Sequence, residues 1–116
     1  MKYLCLLYSD ETQSPPPGSP EMNQILEAYG SFFGEVTAAG VMAGGDPVEA
    51  SSSAVTVRER EGSTQTVPGP YSPGGEQVIG FYIFECASKD EAVKWAAKIP
   101  AARYGAIEVR PILKQD

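Results

Sequence analysis

Val78-Ile79-Gly80-Phe81-Tyr82-Ile83-Phe84-Glu85-Cys86 and, one residue on, Ser88-Lys89-Asp90-Glu91-Ala92-Val93-Lys94-Trp95-Ala96-Ala97-Lys98-Ile99 form the stretch on which the fold turns. The first run is apolar, aromatic and β-branched, and its length suits a strand. The second opens with a serine followed three residues later by a glutamate. In such a capping box each side chain satisfies a terminal amide of the helix it starts. Ala92, Trp95, Ala96 and Ile99 recur at helical spacing and make one sheet-facing stripe in which small alanines allow close approach and Trp95 fills space. Pro100 ends the helix. Ala106-Ile107-Glu108-Val109-Arg110-Pro111 alternates apolar and charged residues, as a strand does, and the proline suits its end.

Towards the N-terminus, Tyr3 to Tyr8 is a short apolar run and reads as a buried strand. Glu11 to Pro20 contains Pro15-Pro16-Pro17-Gly18 and reads as a loop over the domain's edge. Ser19 can cap a helix, with Pro20 at its first position, where a missing amide costs nothing. Met22, Ile25, Leu26, Tyr29, Phe33 and Val36 then form an apolar stripe, and Gly40 provides the stop. Gly44-Gly45-Asp46-Pro47 and the serines after it read as turn and loop. Ala54 to Arg60 is a strand, Glu61-Gly62-Ser63 turns the chain, and Thr64 to Val67 returns as a hairpin. Pro68 to Gly75 is a shaped loop.

The order is strand, helix, hairpin, strand, helix, strand. One antiparallel sheet with both helices on one face accommodates it, giving a single α+β domain over residues 1–116 with a ferredoxin-like sheet and an additional hairpin strand. Tyr3, Tyr8 or Tyr82 on the uncovered face predicts a homodimer packed sheet to sheet, or a groove there.

Fifteen Asp and Glu against nine Lys and Arg give a formal charge of -6, and the four arginines form no run, so nucleic acid is not an expected partner. The absence of histidine removes Ser-His-Asp and Cys-His catalysis and most zinc or iron sites. Cys5 and Cys86 sit in apolar strand runs and read as core thiols. The diglycines precede no helix of a phosphate-binding loop, so no cofactor and no metal are expected. The short apolar run at the N-terminus, stopped by Ser9-Asp10-Glu11, is neither a signal peptide nor a membrane span, which predicts a cytoplasmic protein with no membrane partner.

Met1-Lys2-Tyr3, the Val57-Arg58 strand, the Gly69-Pro70-Tyr71 loop, and the tail from Ile99-Pro100-Ala101-Ala102 through Glu108-Val109-Arg110-Pro111 resemble the YCII-related family, specifically its DGPF-domain branch. The resemblance spans nearly the whole chain and is most specific from Gly80-Phe81-Tyr82 to Arg110-Pro111. It implies a dimeric fold of the α+β barrel type. In the branch's Asp-Gly-Pro-Phe signature this chain has Pro68 for the acidic residue and Tyr71 for the phenylalanine. Superfamily relatives resemble enzymes that use a His-Asp pair, for which this chain has no histidine.

The candidate ligand-binding residues are the polar groups on or beside strands: Tyr8, Asp10, Arg58, Tyr71, Glu76, Tyr82, Glu108 and Arg110. Glu108 and Arg110 stand two apart on a strand and share a face. They form an ion pair, or Arg110 presents its guanidinium to a carboxylate or enolate in a sheet groove. Three functions follow as expectations: binding a small, anionic molecule, a metal-free lyase or isomerase acting on a small carboxylated or aromatic-derived metabolite, and a purely structural dimeric protein.

Overall fold

The computed structural model describes residues 1–114. Strand β1 (Lys2–Asp10) leads through the proline-rich loop to helix α1 (Pro20–Ala38) and strand β2 (Met42–Pro47). Strands β3 (Val55–Arg60) and β4 (Ser63–Pro68) form the hairpin, and β5 (Glu76–Glu85), α2 (Lys89–Ala96) and β6 (Ala106–Pro111) complete the chain. The main sheet runs β2-β5-β1-β6, antiparallel throughout, and β3-β4 is a sheet of its own. This is the ferredoxin-like α+β fold, the type from which dimeric α+β barrels are assembled.

The helix starts follow from the sequence. The Ser19 hydroxyl accepts from the Met22 amide at 3.2 Å and Ser88 from Glu91 at 3.2 Å. The Glu91 carboxylate reaches one residue further back than a regular capping box would place it, accepting from the Ala87 amide at 2.9 Å. In β1, Tyr3, Cys5 and Leu7 are buried under the helices while Leu4 and Leu6 between them are only partly buried, the period of two expected of a sheet with one covered face. The register carries that alternation across the sheet. Phe84, Tyr82 and Gly80 of β5 lie opposite the buried set, whereas Ile83 and Phe81 lie opposite Leu4 and Leu6.

Three expectations change. Tyr3 and Tyr82 belong to the helix-covered face, leaving Tyr8 as the tyrosine of the three on the open one. The second strand of the main sheet is Met42–Pro47, the segment whose glycines and proline read as a turn. An edge position tolerates the proline. Gly45, at φ 148, needs to be glycine because a Cβ there would stand 2.6 Å from the Phe81 carbonyl oxygen. The hairpin adds no strand to the main sheet, and its connection is the two-residue turn Glu61-Gly62, both with positive φ, which matches strand twist.

Between Leu7 and Tyr8 the β1-β5 register shifts, Leu7 pairing with Gly80 and Tyr8 with Val78. Ile79 is therefore an extra residue, a β-bulge, and its carbonyl accepts from the Val48 amide at 3.0 Å.

Phe84, Ile99, Val36 and Cys5 are the largest fully buried side chains. Burying a phenylalanine or isoleucine this completely contributes roughly 1.5–3 kcal/mol. Phe32, Tyr82 and Phe84 cluster with ring centroids 5.4 to 6.2 Å apart. The α1 stripe departs from expectation at one step: Phe32 is buried and Phe33 is 53 % exposed, as Leu26 is 60 %. Phe32 and Val36 thus seat the C-terminal half of α1, and an ion pair between Lys98 and Glu35 joins that end to the turn after α2. The N-terminal half has no residue in the core.

Candidate functional site

A cleft of about 1010 Å³ opens between the N-terminal half of α1 and the end of the sheet where β1 finishes and β5 begins. Met22, Ile25 and Tyr29 of α1 form one wall, with Leu26 and Phe33 exposed at its rim; Leu7, Ile79 and Tyr82 belong to the sheet side. Asp10, Glu11 and the start of the proline-rich loop border the end, and Tyr104 stands beside Tyr29 with hydroxyls 3.5 Å apart. The bulge brings Ile79 to this wall.

The electrostatics are one-sided. Asp10, Glu11 and Asp46 line the cleft, and no lysine or arginine does. The Thr12 hydroxyl and amide donate to Asp10 at 2.7 and 2.9 Å and hold its carboxyl below the usual range. The Ser51 hydroxyl and its amide, at 2.8 Å, do the same for Glu11. Both groups are ionised at neutral pH. Burial pushes the Tyr82 phenol up, and burial followed by the Tyr104 hydroxyl pushes Tyr29 further up. Both phenols stay protonated and serve as donors or acceptors of hydrogen bonds. An apolar trough carrying neutral hydroxyls, with fixed negative charge at one end, suits a ring-sized molecule that brings its own hydroxyl or amine donors.

Of the residues singled out from sequence, Asp10 and Tyr82 line this cleft. The others are placed elsewhere. Arg110 and Glu108 form an ion pair with each other on β6, opposite Leu4 and Leu6 of the open face, with the arginine side chain 70 % exposed. Arg58 lies over the Tyr71 ring, 5.1 Å from its centroid, at the hairpin. Tyr8 is on the open face, and Glu76, opposite Asp10, is exposed at the start of β5. Tyr29, Tyr104 and Ile79 were not among the candidates. Tyr29 was legible as part of the helical stripe, whereas the placement of Tyr104 and of Ile79 depends on contacts far apart in sequence. Among the described residues no group of three or more His, Cys, Asp or Glu side chains is arranged to hold a metal, and no helix is long and apolar enough to cross a membrane.

A four-stranded sheet in this order, covered on one face by two helices with a cleft under one of them, defines a small α+β domain of the ferredoxin-like class. Residues 1–115 match the YCII-related domain, and the chain belongs to that family. It is 30 % identical over 114 residues to an uncharacterised protein of Rhizobium meliloti (strain 1021), a match covering 97 % of this chain and 92 % of that one. Among solved structures it is similar to 5-chloro-2-hydroxyhydroquinone dehydrochlorinase from Burkholderia phenoliruptrix AC1100 in complex with 2,5-dihydroxybenzoquinone. The TM-score is 0.55 at 16 % identity, over 99 % of this chain and 96 % of that one, a likeness of fold.

Proposed function

We propose that the protein binds a small, ring-containing, uncharged molecule bearing hydroxyl groups in the α1-sheet cleft. One observation carries this reading: the cleft is walled by apolar and tyrosine side chains, and its only charged side chains are carboxylates. A small-molecule role agrees with the family and the fold; the chemistry of the ligand is read from the cleft. An anion would meet Asp10 and Glu11 with no cation to offset them. The arginines from which an anionic ligand was expected lie outside the cleft. Tyr82 and Tyr29 supply the orienting hydrogen bonds and Met22, Ile25 and Ile79 the apolar contact, the usual division of labour in a ligand site.

The test is a nuclear magnetic resonance titration of the protein with phenol and catechol, each paired with the benzoate of matching size. Phenols should shift resonances of Tyr29, Tyr82 and Ile79 while benzoates leave them unmoved, and Tyr82→Phe should weaken phenol binding by up to about tenfold, the loss of one neutral hydrogen bond. Equal binding of benzoates, or no response in the cleft to any of these probes, overturns the reading.

The partly buried Leu4, Leu6, Phe81 and Ile83 on the open sheet face support a homodimer formed there. Sedimentation equilibrium at micromolar concentration should give twice the monomer mass, and Leu6→Glu should return it to the monomer.

A further inference from the structure

The β3-β4 hairpin is well built and has nothing of its own chain to lie on. Its base is tied on both legs: the Gly69 amide donates to the Ala54 carbonyl at 2.7 Å, the Thr56 hydroxyl to the Gly69 carbonyl at 3.0 Å, and Ser51 to the Glu11 carboxylate. Yet every residue of β4 is exposed, Val57 is 61 % and Tyr71 79 % exposed, and no hairpin residue joins the core. A two-stranded hairpin alone is marginal in water, so one this regular calls for a surface to rest on. The molecule measures 48 × 46 × 17 Å, with a radius of gyration of 16.2 Å. A compact domain of this length has roughly 13 Å.

The hairpin's two faces differ. By register, Thr56, Arg58 and Arg60 share a face with Val67 and Gln65, and Tyr71 packs on Arg58 from the same side. That face holds two of the four arginines and no carboxylate. Helix α1 is its complement, with Glu21, Glu27 and Glu35 and no lysine or arginine, and with Leu26 and Phe33 exposed at the cleft rim. Lys98 takes Glu35, while Glu21 and Glu27 join no ion pair among the described residues.

We propose that the hairpin is a docking arm whose Arg58/Arg60 face seats on the outer rim of α1 in a second copy of this chain. Arginine and tyrosine anchor the contact, as they do in many interfaces, and the glutamates of α1 fix its orientation. The arm thereby covers the exposed Leu26 and Phe33 and walls the mouth of the neighbour's cleft. This contact is separate from the open sheet face and does not depend on what the cleft binds.

The experiment is sedimentation equilibrium on the full chain and three variants, each checked for an unchanged circular dichroism spectrum. Arg58→Glu with Arg60→Glu should weaken self-association by at least about tenfold. Adding Glu21→Lys and Glu27→Lys to the same chain should restore it, because the charges are then exchanged across the contact. Leu6→Glu separates the two surfaces: if it alone dissociates the protein and the arginine reversal leaves association unchanged, the arm is refuted and the sheet-face dimer stands. A monomeric wild-type chain, or weakening without rescue, also refutes the arm.

Discussion

Helices α1 and α2 cover the same face of the same sheet, and they are seated in opposite ways. Helix α2 presents Ala92 and Ala96 to the sheet, both buried, and Ile99 and Ala101 just beyond it are fully buried as well. Side chains this small let it lie close, and nothing is left between. Helix α1 presents Met22, Ile25, Tyr29 and Phe32, and only the last of these, with Val36, reaches the core. Large side chains anchored at one end of a helix leave its other end standing off the sheet. The cleft is thus a product of side-chain size along one helix, and the fold tolerates it because α2 and the aromatic cluster close the core elsewhere.

The contrast is most easily broken at the α1 anchor. Phe32→Ala removes the ring that contacts Tyr82 and Phe84 and should lower stability by about 3–5 kcal/mol, read by urea denaturation, with loss of cleft binding. Enlarging the α2 side, Ala96→Leu should cost about 1–3 kcal/mol through overpacking in a seat with no spare room. Leu26→Ala, at the exposed rim of α1, should change stability by less than about 0.5 kcal/mol.

Alkaline pH probes the close-packed side without altering size. Burial, then the neighbouring Cys86, pushes the Cys5 thiol from the usual value near 9 up to about 12. Above pH 9 the unfolded chain therefore releases a proton that the folded chain keeps. Stability from this group is complete below pH 9 and declines as pH rises to about 12. Denaturation midpoints should fall between about pH 8 and pH 10.5, and Cys5→Ala should flatten the decline.

The standing-off helix can also be strengthened. Gly34 has nothing within 4 Å of a prospective Cβ, so Gly34→Ala should stabilise by about 0.5–1 kcal/mol. The smallest effect belongs to Arg110→Met, whose exposed pair with Glu108 contributes less than about 0.5 kcal/mol and lies away from the cleft. Unchanged phenol binding in this variant is the expected titration result.

Elements with local signals were legible in the sequence: the runs from Tyr3 and Val78, the serine caps at 19 and 88, and the alternation through Glu108 and Arg110. Strand β2 was not, because Gly44, Gly45 and Pro47 carry the chemistry of turns. They suit an edge strand only in the company of β5, whose Phe81 carbonyl demands a glycine opposite. Phe32 and Phe33 are adjacent aromatics, and the period alone does not say which one faces inward. The cleft was legible only in Asp10 and Tyr82, since functional chemistry in a sequence is sought among charged residues. This cleft is built mainly from hydroxyls and aliphatic groups that also serve as core.

The bulge at Ile79 makes the cleft heritable separately from the fold. Deleting that one residue would restore an uninterrupted β1-β5 ladder, with Phe84, Tyr82 and Gly80 keeping their present partners, while removing the aliphatic group from the cleft wall and the carbonyl that receives Val48. A chain of this architecture can therefore acquire or lose this part of its pocket by a single codon insertion or deletion, leaving the rest of the register untouched.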